Sequence, residues 1–212
     1  MRQLVVLARW PAPGRCKRRL ARSCGSAAAA ARVQGALTSH TLAAAQLAAG
    51  RSQAQLLLAA DGLGPRARRR WARQLGLEQC REQGSGNLGC RMQRQLRLAF
   101  AAGAGQVVLI GTDLPGLEPH DLCDAFAALE QGPLVLGPAR DGGYWLLGLN
   151  RAGFAAAGAQ LMSGIPWGSA AVLASTLDRA EALGLPVRLL RCQSDLDTSA
   201  DLAPWIRAPG QR

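Results

Sequence analysis

Four carboxylates stand at positions where their chemistry could be used together. Asp113 follows the apolar run 106–111, within Ile110-Gly111-Thr112-Asp113-Leu114-Pro115. Asp141 follows the run 133–137 and precedes a glycine pair, while Asp195 and Asp197 alternate in Ser194-Asp195-Leu196-Asp197-Thr198. Carboxylate oxygens supplemented by phosphate oxygens are the ligands that Mg²⁺ and Mn²⁺ prefer. Alternate residues of an extended segment point to one side, so one cation could use Asp195 or Asp197. Each position also has a purely structural reading. Asp113 suits a turn or a helix cap. Asp141-Gly142-Gly143 suits a tight turn between two strands. Thr198 or Ser199 suits the cap of a last helix, with Asp201 in its acidic first turn.

The matching cations lie near the start of the chain, in Pro13-Gly14-Arg15-Cys16-Lys17-Arg18-Arg19. Glycine lets backbone approach a ligand closely, and a loop feeding a helix offers free N–H groups to phosphate. Lys17, Arg18 and Arg19 would add charge-assisted hydrogen bonds to phosphate oxygens. The loop has neither the GxxxxGK[ST] pattern of a P-loop nor the GxGxxG of a dinucleotide site. By composition alone it reads as an exposed basic loop.

Charge is distributed unevenly over the 212 residues, whose formal net charge is +11. Residues 1–60 carry eight Arg, one Lys and no acid, a net +9, residues 61–106 a net +6, and residues 107–212 a net −4. Lys17 is the only lysine in the chain. Arginine, alanine and glycine enriched together reflect GC-rich coding, which accounts for most of the excess charge. The Arg-rich stretch 66–73 reads as a solvated helix face. No RRM, KH or helix-turn-helix pattern is present and aromatics are scarce, so nucleic acid is not expected as a partner. With 49% hydrophobic residues the chain is too apolar to be disordered. No apolar stretch approaches about 18 residues, so no membrane span is expected. Met1-Arg2 runs directly into a strand-like segment, unlike a signal peptide. The six cysteines show no CxxC spacing, and His40 and His120 are far apart, so no zinc site is expected. Reduced thiols and a cytoplasmic location are therefore expected.

The elements that must position these groups alternate between strand and helix. Strands are predicted at 3–9, 55–60, 77–81 (weak), 106–111, 133–137, 144–149 and 187–191. Helices are predicted at 26–49, 65–75, 88–102, 119–129, 168–183 and 201–206. This order implies a mainly parallel sheet covered on both faces, in one domain spanning 1–212. Ligands of such sheets bind beyond the carboxyl ends of the strands. Arg9 through Arg19, Asp113, Asp141 and Asp195 with Asp197 all stand just beyond those ends.

Taken in order, PGxxKxRL from Pro13, GNLGxRM from Gly86, IGTDLPGL from Ile110, LGPAxDGGYWLLGL from Leu136, Pro166-Trp167-Gly168 and DLDTxxDL from Asp195 carry a resemblance. From Leu4 to about Leu202 the chain resembles a small bacterial glycosyltransferase-like family often assigned to arsenosugar biosynthesis. That family is similar in fold to molybdenum-cofactor and phospholactate guanylyltransferases. The resemblance implies a nucleotide-diphospho-sugar transferase fold, a GT-A-like and Rossmann-like three-layer α/β sandwich with a mainly parallel mixed sheet. It places Ala8, Arg9, Pro13, Gly14, Lys17, Arg19 and Gly111 at the nucleotide. It places Asp113, Asp195 and Asp197 at a divalent cation, Mg²⁺ or Mn²⁺. Asp141, Gly142 and Gly143 match a loop at the acceptor or donor sugar, where Asp141 is a candidate catalytic base or a substrate-binding group, and Tyr144 and Trp167 would also meet the substrate. The chain departs from the family pattern in three places. Arg18 replaces a threonine, Asn87 and Cys90 replace acids, and Ser169 replaces a threonine.

The implied activity is metal-dependent transfer of a sugar from a nucleotide diphosphate sugar to a small acceptor. The alternative is nucleotidyl transfer from an NTP to a small phosphorylated acceptor, with pyrophosphate leaving.

Overall fold

A run of apolar residues buried on both faces begins the chain and lies inside the sheet. The computed structural model describes residues 1–158 and 160–206. Strand β1 (Arg2–Arg9) is followed by the short helix α1 (Arg18–Ser23), the long helix α2 (Ala27–Ser52) and strand β2 (Ala54–Asp61). Next come α3 (Pro65–Gln74), β3 (Cys80–Glu82), α4 (Leu88–Ala101), β4 (Gln106–Ile110) and α5 (Pro119–Gln131). Strands β5 (Leu134–Pro138) and β6 (Tyr144–Asn150) precede α6 (Arg151–Ala157) and a 3₁₀ turn at Gln160–Met162. The chain continues through α7 (Val172–Ala182), β7 (Val187–Leu189) and α8 (Ser199–Ile206).

The strands form one seven-stranded sheet in the order β3-β2-β1-β4-β6-β5-β7. All neighbouring pairs are parallel except those made by β6, which runs antiparallel to both β4 and β5. The sheet is thus mostly parallel and mixed, as the alternation of elements implies. Side chains of β1 divide between its faces with the period of a strand. Leu4, Val6 and Ala8 join Leu42 of α2, Trp71 of α3 and Phe126 of α5 in one apolar layer. Val5 joins Met92 and Leu96 of α4, Ala157 of α6 and Ala180 of α7 in the other. Each large side chain so buried contributes about 1.5–3 kcal/mol, which secures helices on both faces.

Local sequence explains most element boundaries. Ser26 caps α2, its hydroxyl accepting from Ala29 N at 3.1 Å, and Asn87 caps α4 by accepting from Cys90 N at 2.9 Å. Pro119 opens α5, and Asp121 accepts from Glu118 N at 2.9 Å. Some elements differ from expectation, among them helix α1, which lies where no helix is predicted. Helix α6 is additional to the predicted helices, although Asn150 announces it by accepting from Gly153 N at 2.9 Å. The helix predicted at 168–183 begins only at Val172, because Gly168 has φ of +85° and Ser169 closes a turn onto Pro166 O. Among the described residues, no helix is long and apolar enough to cross a membrane.

One buried carboxylate ties this frame to the C-terminal segment. Asp121, 3% exposed, accepts hydrogen bonds from the Arg191 guanidinium, from Gln193 Nε2 at 3.2 Å and from Glu118 N. Against the desolvation of burial, the Arg191 hydrogen bonds, the Glu118 N–H and the charges of Arg191 and His120 hold its pKa below the usual carboxylate range. A lowered native pKa means that the stabilisation is complete above the ordinary aspartate value of 3.8 and is lost as pH falls through the native value. The Asp121→Asn variant is expected to lose about 1–3 kcal/mol at neutral pH. Its deficit should shrink towards zero in urea melts below that window. A deficit unchanged at low pH would remove the ionic part of this account.

Candidate active site

The loop after β1 carries the one lysine of the chain into the sheet's carboxyl edge. Lys17 adopts the left-handed region, with φ of 44° and ψ of 49°. A non-glycine residue held there is strained, and such strain gathers where structure must aim a side chain. The side chain is 4% exposed, and its Nζ lies 2.7 Å from Asp113 Oδ1 and 3.6 Å from Asp197 Oδ1. Nζ also donates to the Leu196 carbonyl at 2.5 Å. Arg19, on the exposed side, donates from a terminal nitrogen to Asp197 Oδ2 at 3.2 Å.

Asp113 is held by the elements around it. Its neighbour Thr112 is buried and accepts from Gln34 Nε2 of α2 at 2.9 Å. Its own carbonyl accepts from Leu196 N at 2.9 Å. The segment bearing Asp195 and Asp197 is stitched to the end of β5 through Gln193 N to Pro138 O and Arg140 N to Gln193 O, each 3.0 Å. Asp201 then turns it into α8, accepting from Asp197 N at 3.0 Å and Thr198 N at 2.7 Å. Asp201 stands in the first turn of α8 as expected, its pKa lowered by these bonds against the desolvation of burial, and Ser199 N donates to Ser23 Oγ at 2.9 Å.

Asp195 is the most perturbed carboxyl of the group. Burial, followed by the facing carboxylates of Asp113, Asp141 and Asp197, pushes its pKa up to about 7, while Lys17 pulls the other way. Its Oδ1 is buried and has no hydrogen-bond partner. Asp141 sits on the exposed turn between β5 and β6, its Oδ1 accepting from Gly143 N at 2.9 Å. Asp141-Gly142-Gly143 forms the turn between β5 and β6, and Asp141 and Gly143 face the cleft.

These groups share a cleft of about 860 Å³. Of the residues that sequence points to, Arg9, Lys17, Arg19, Gly111, Asp113, Asp141, Gly143, Tyr144, Trp167, Asp195 and Asp197 line it. Ala8, Pro13, Gly14 and Gly142 do not. Ala8 is fully buried in the core layer, and Pro13 and Gly14 are exposed on the outer side of the loop. Gly142 has φ of +88° and packs under the Ala170 carbonyl, so its role is to let the turn close.

A second charged group on the cleft wall goes beyond the sequence expectation. Arg9 and Asp61 are register partners at the ends of β1 and β2, and Arg9 Nε lies 3.1 Å from Asp61 Oδ2. Arg91 of α4 reaches the same oxygen at 2.8 Å and donates to Gln83 Oε1 at 3.3 Å. Against the desolvation of burial, the hydrogen bonds and charges of Arg91 and Arg9 hold Asp61 below the usual carboxylate range. Arg9, Gln83 and Arg91 all line the cleft, and Asp61 fixes the two guanidinium groups there. The available signal was Asp61 itself, the first acid of the chain, at the end of a predicted strand.

Another part of the lining is aromatic. Tyr144 and Trp167 meet edge to face with centroids 6.2 Å apart. Burial pushes the Tyr144 phenol far above its usual range. Trp167 lies directly on the first turn of α4, where a Cβ on Gly89 would come within 2.6 Å of its Nε1.

The family model for an uncharacterized protein conserved in bacteria (DUF2064) matches residues 41–169, more than half of the chain. The chain belongs to this family. The match takes in Asp61, Asp113, Asp141 and Trp167. No functionally curated protein is similar enough in sequence to count as a match. Among solved structures, a provisionally assigned nucleotide-diphospho-sugar transferase from Desulfovibrio desulfuricans G20 has 26% identity and a TM-score of 0.84, over 99% of this chain and 88% of that one. A CMP:2-keto-3-deoxy-manno-octonic acid synthetase complexed with CTP has 15% identity and a TM-score of 0.58, over 96% of each chain. The glucosyl-3-phosphoglycerate synthase of Mycobacterium tuberculosis, in complex with Mn²⁺, UDP and glucosyl-3-phosphoglycerate, has 14% identity and a TM-score of 0.52, over 96% of this chain and 75% of that one. The last two likenesses are of fold. The DUF2064 chain thus has the α/β fold of nucleotide-diphospho-sugar transferases, and its structural neighbours include both sugar and nucleotidyl transferases.

Within this family member, the Gly89–Trp167 contact gives a direct test of how the aromatic wall is built. Gly89→Ala should displace the indole and cost about 1–3 kcal/mol through overpacking. Near-UV circular dichroism should change while the far-UV spectrum stays constant. An unaltered near-UV spectrum would show that the wall does not depend on this glycine.

Proposed function

We propose that this protein is a metal-dependent glycosyltransferase that moves a sugar from a nucleotide diphosphate sugar to a small acceptor. The observation that carries the reading is the cleft itself. Lys17, Asp113, Asp195 and Asp197 converge at one end, guanidinium groups line one wall, and Tyr144 and Trp167 form another. The 26% identical structure of a provisionally assigned nucleotide-diphospho-sugar transferase supports the same activity class.

The residues present fit a divalent cation. Four carboxylates face one another, and the buried Oδ1 of Asp195 lacks any donor. Among the described residues, no three His, Cys, Asp or Glu side chains form a ready metal cage. Mg²⁺ and Mn²⁺ are commonly held by one or two carboxylates and completed by phosphate oxygens. Asp113 and Asp197, with Asp195 beside them, would hold it. When bound, the cation supplies charge stabilisation to the departing diphosphate.

The remaining roles belong to the chain. Lys17 and Arg19 are placed to receive the diphosphate as negative charge builds on it. Arg9 and Arg91, fixed by Asp61, extend that positive wall. Tyr144 and Trp167 offer apolar ring faces to a sugar or acceptor and keep water from one side of the cleft. Asp141, exposed at the turn and held by Gly143 N, is placed to take the proton of an acceptor hydroxyl. Gly111 lets the nucleotide approach the backbone between β4 and Asp113. Assignment to arsenosugar chemistry would fit this class of reaction and names only one acceptor among several.

Product analysis with Mn²⁺ tests the proposal. Free nucleoside diphosphate released from a nucleotide sugar supports it. Pyrophosphate released from an NTP instead would overturn it in favour of nucleotidyl transfer. Asp113→Ala should weaken Mn²⁺-dependent nucleotide binding by about 30-fold or more while the thermal melt stays cooperative. Equal nucleotide affinity with and without Mn²⁺ in the wild type would remove the metal role.

A further inference from the structure

We propose that Lys17 is an internal cation that occupies the carboxylates of the metal site until a nucleotide brings the metal in. The inference rests on the metal-dependent reading above and adds how the cation enters. The ammonium is almost wholly buried, yet it pairs with the same two carboxylates, Asp113 at 2.7 Å and Asp197 at 3.6 Å, that would hold the metal. It also takes the Leu196 carbonyl, which lies between Asp195 and Asp197 in the chain. A buried ammonium must keep such partners, because leaving it unpaired costs several kcal/mol.

A free divalent cation therefore meets two carboxylates that Lys17 already pairs. To bind, it would have to displace Lys17 and leave the ammonium without a partner. A cation carried on a diphosphate removes that penalty, since the phosphate oxygens give Lys17 a replacement for the carboxylates it gives up. The cation and the nucleotide then bind as one unit, and neither binds well alone. The strained left-handed backbone at Lys17 belongs to the same device, since it is the geometry that turns the side chain inward onto Asp113.

The pairing also accounts for what is left over. Asp195 has no part in it. Its Oδ1 stays unpartnered because the cations present, Lys17 and Arg19, pair with Asp113 and Asp197, a condition that a doubly charged ion would relieve.

The test is titration of Mn²⁺ alone into the metal-free protein, read by the electron paramagnetic resonance of free Mn²⁺. Lys17→Met should bind Mn²⁺ roughly tenfold or more tightly than the wild type, because the competing charge is gone. Arg22→Met removes an exposed positive charge of α1 away from the cleft and should change the affinity by less than about threefold. Equal strengthening in both variants would reduce the effect to general electrostatics and overturn the proposal. Circular dichroism melts establish that each variant is folded. The wild type alone gives a second reading, with Mn²⁺ titrated in the presence and absence of ADP, CDP, GDP or UDP. Strong synergy with one of these supports the proposal, and tight binding of Mn²⁺ without any nucleotide overturns it. If nucleotide binding depends on Mn²⁺ but Lys17→Met takes up Mn²⁺ no better than wild type, only this inference falls. If Mn²⁺ binds neither protein under any condition, the metal reading falls and this inference falls with it.

Discussion

A buried ammonium among carboxylates is the constraint on which the rest of this structure turns. Asp113, Asp141, Asp195 and Asp197 are brought to one end of a cleft by different elements: β4, the β5–β6 turn and the segment after β7. Burial, and then the facing carboxylates of Asp113, Asp141 and Asp197, raise the pKa of Asp195. Lys17 is the group that makes this arrangement tolerable. Through it the N-terminal loop, the central strand and the C-terminal segment are joined at one atom, Nζ. Loop, strand end and C-terminal segment are thereby positioned together.

The supporting contacts have the same logic at a distance from the cleft. Asp121 holds Arg191 and Gln193 just before the segment that carries Asp195 and Asp197. Gln34 fixes Thr112 just before Asp113. Asp61 fixes Arg9 and Arg91 on the basic wall. In each case a partly or fully buried polar group uses its hydrogen bonds to fix a residue in the cleft wall or close to it in the chain. Such groups are costly to bury unless satisfied, so their geometry is tightly determined.

Much of the fold was legible from local signals. Apolar runs with β-branched residues marked most strands, and Ser26, Asn87 and Pro119 marked the starts of their helices. Helix α6 gave a weak signal because Arg151–Ala157 is short and contains Gly153, though the capping Asn150 was there to be read. The start of α7 lies later than periodicity suggests because the positive φ of Gly168 is a property of the folded turn. Much of the candidate site was legible too, since its acids follow strands. Ala8 and Gly142 show where local position misleads. One turns into the core and the other closes a turn, although each sits beside residues that line the cleft. Asp61 is signalled only by its place at a strand end, and Gln83, Arg91 and Asp121 carry no local signal of their roles because these depend on partners brought close by the fold.

By itself, the sequence determined the alternation of strands and helices, the mainly parallel sheet and the uneven charge that sets a basic start against an acid-bearing second half. These arise from periodicity, capping and composition, which act over a few residues. Only the tertiary structure decided that the single lysine is buried and that its partners are Asp113 and Asp197, more than 90 residues away in the chain. It also decided that Asp195 keeps an unpartnered oxygen and that Trp167 rests on Gly89. The physical reason is that pairing and desolvation depend on which chain segments share a small volume. That is settled by how the two apolar layers pack against the sheet, and no short-range pattern encodes it.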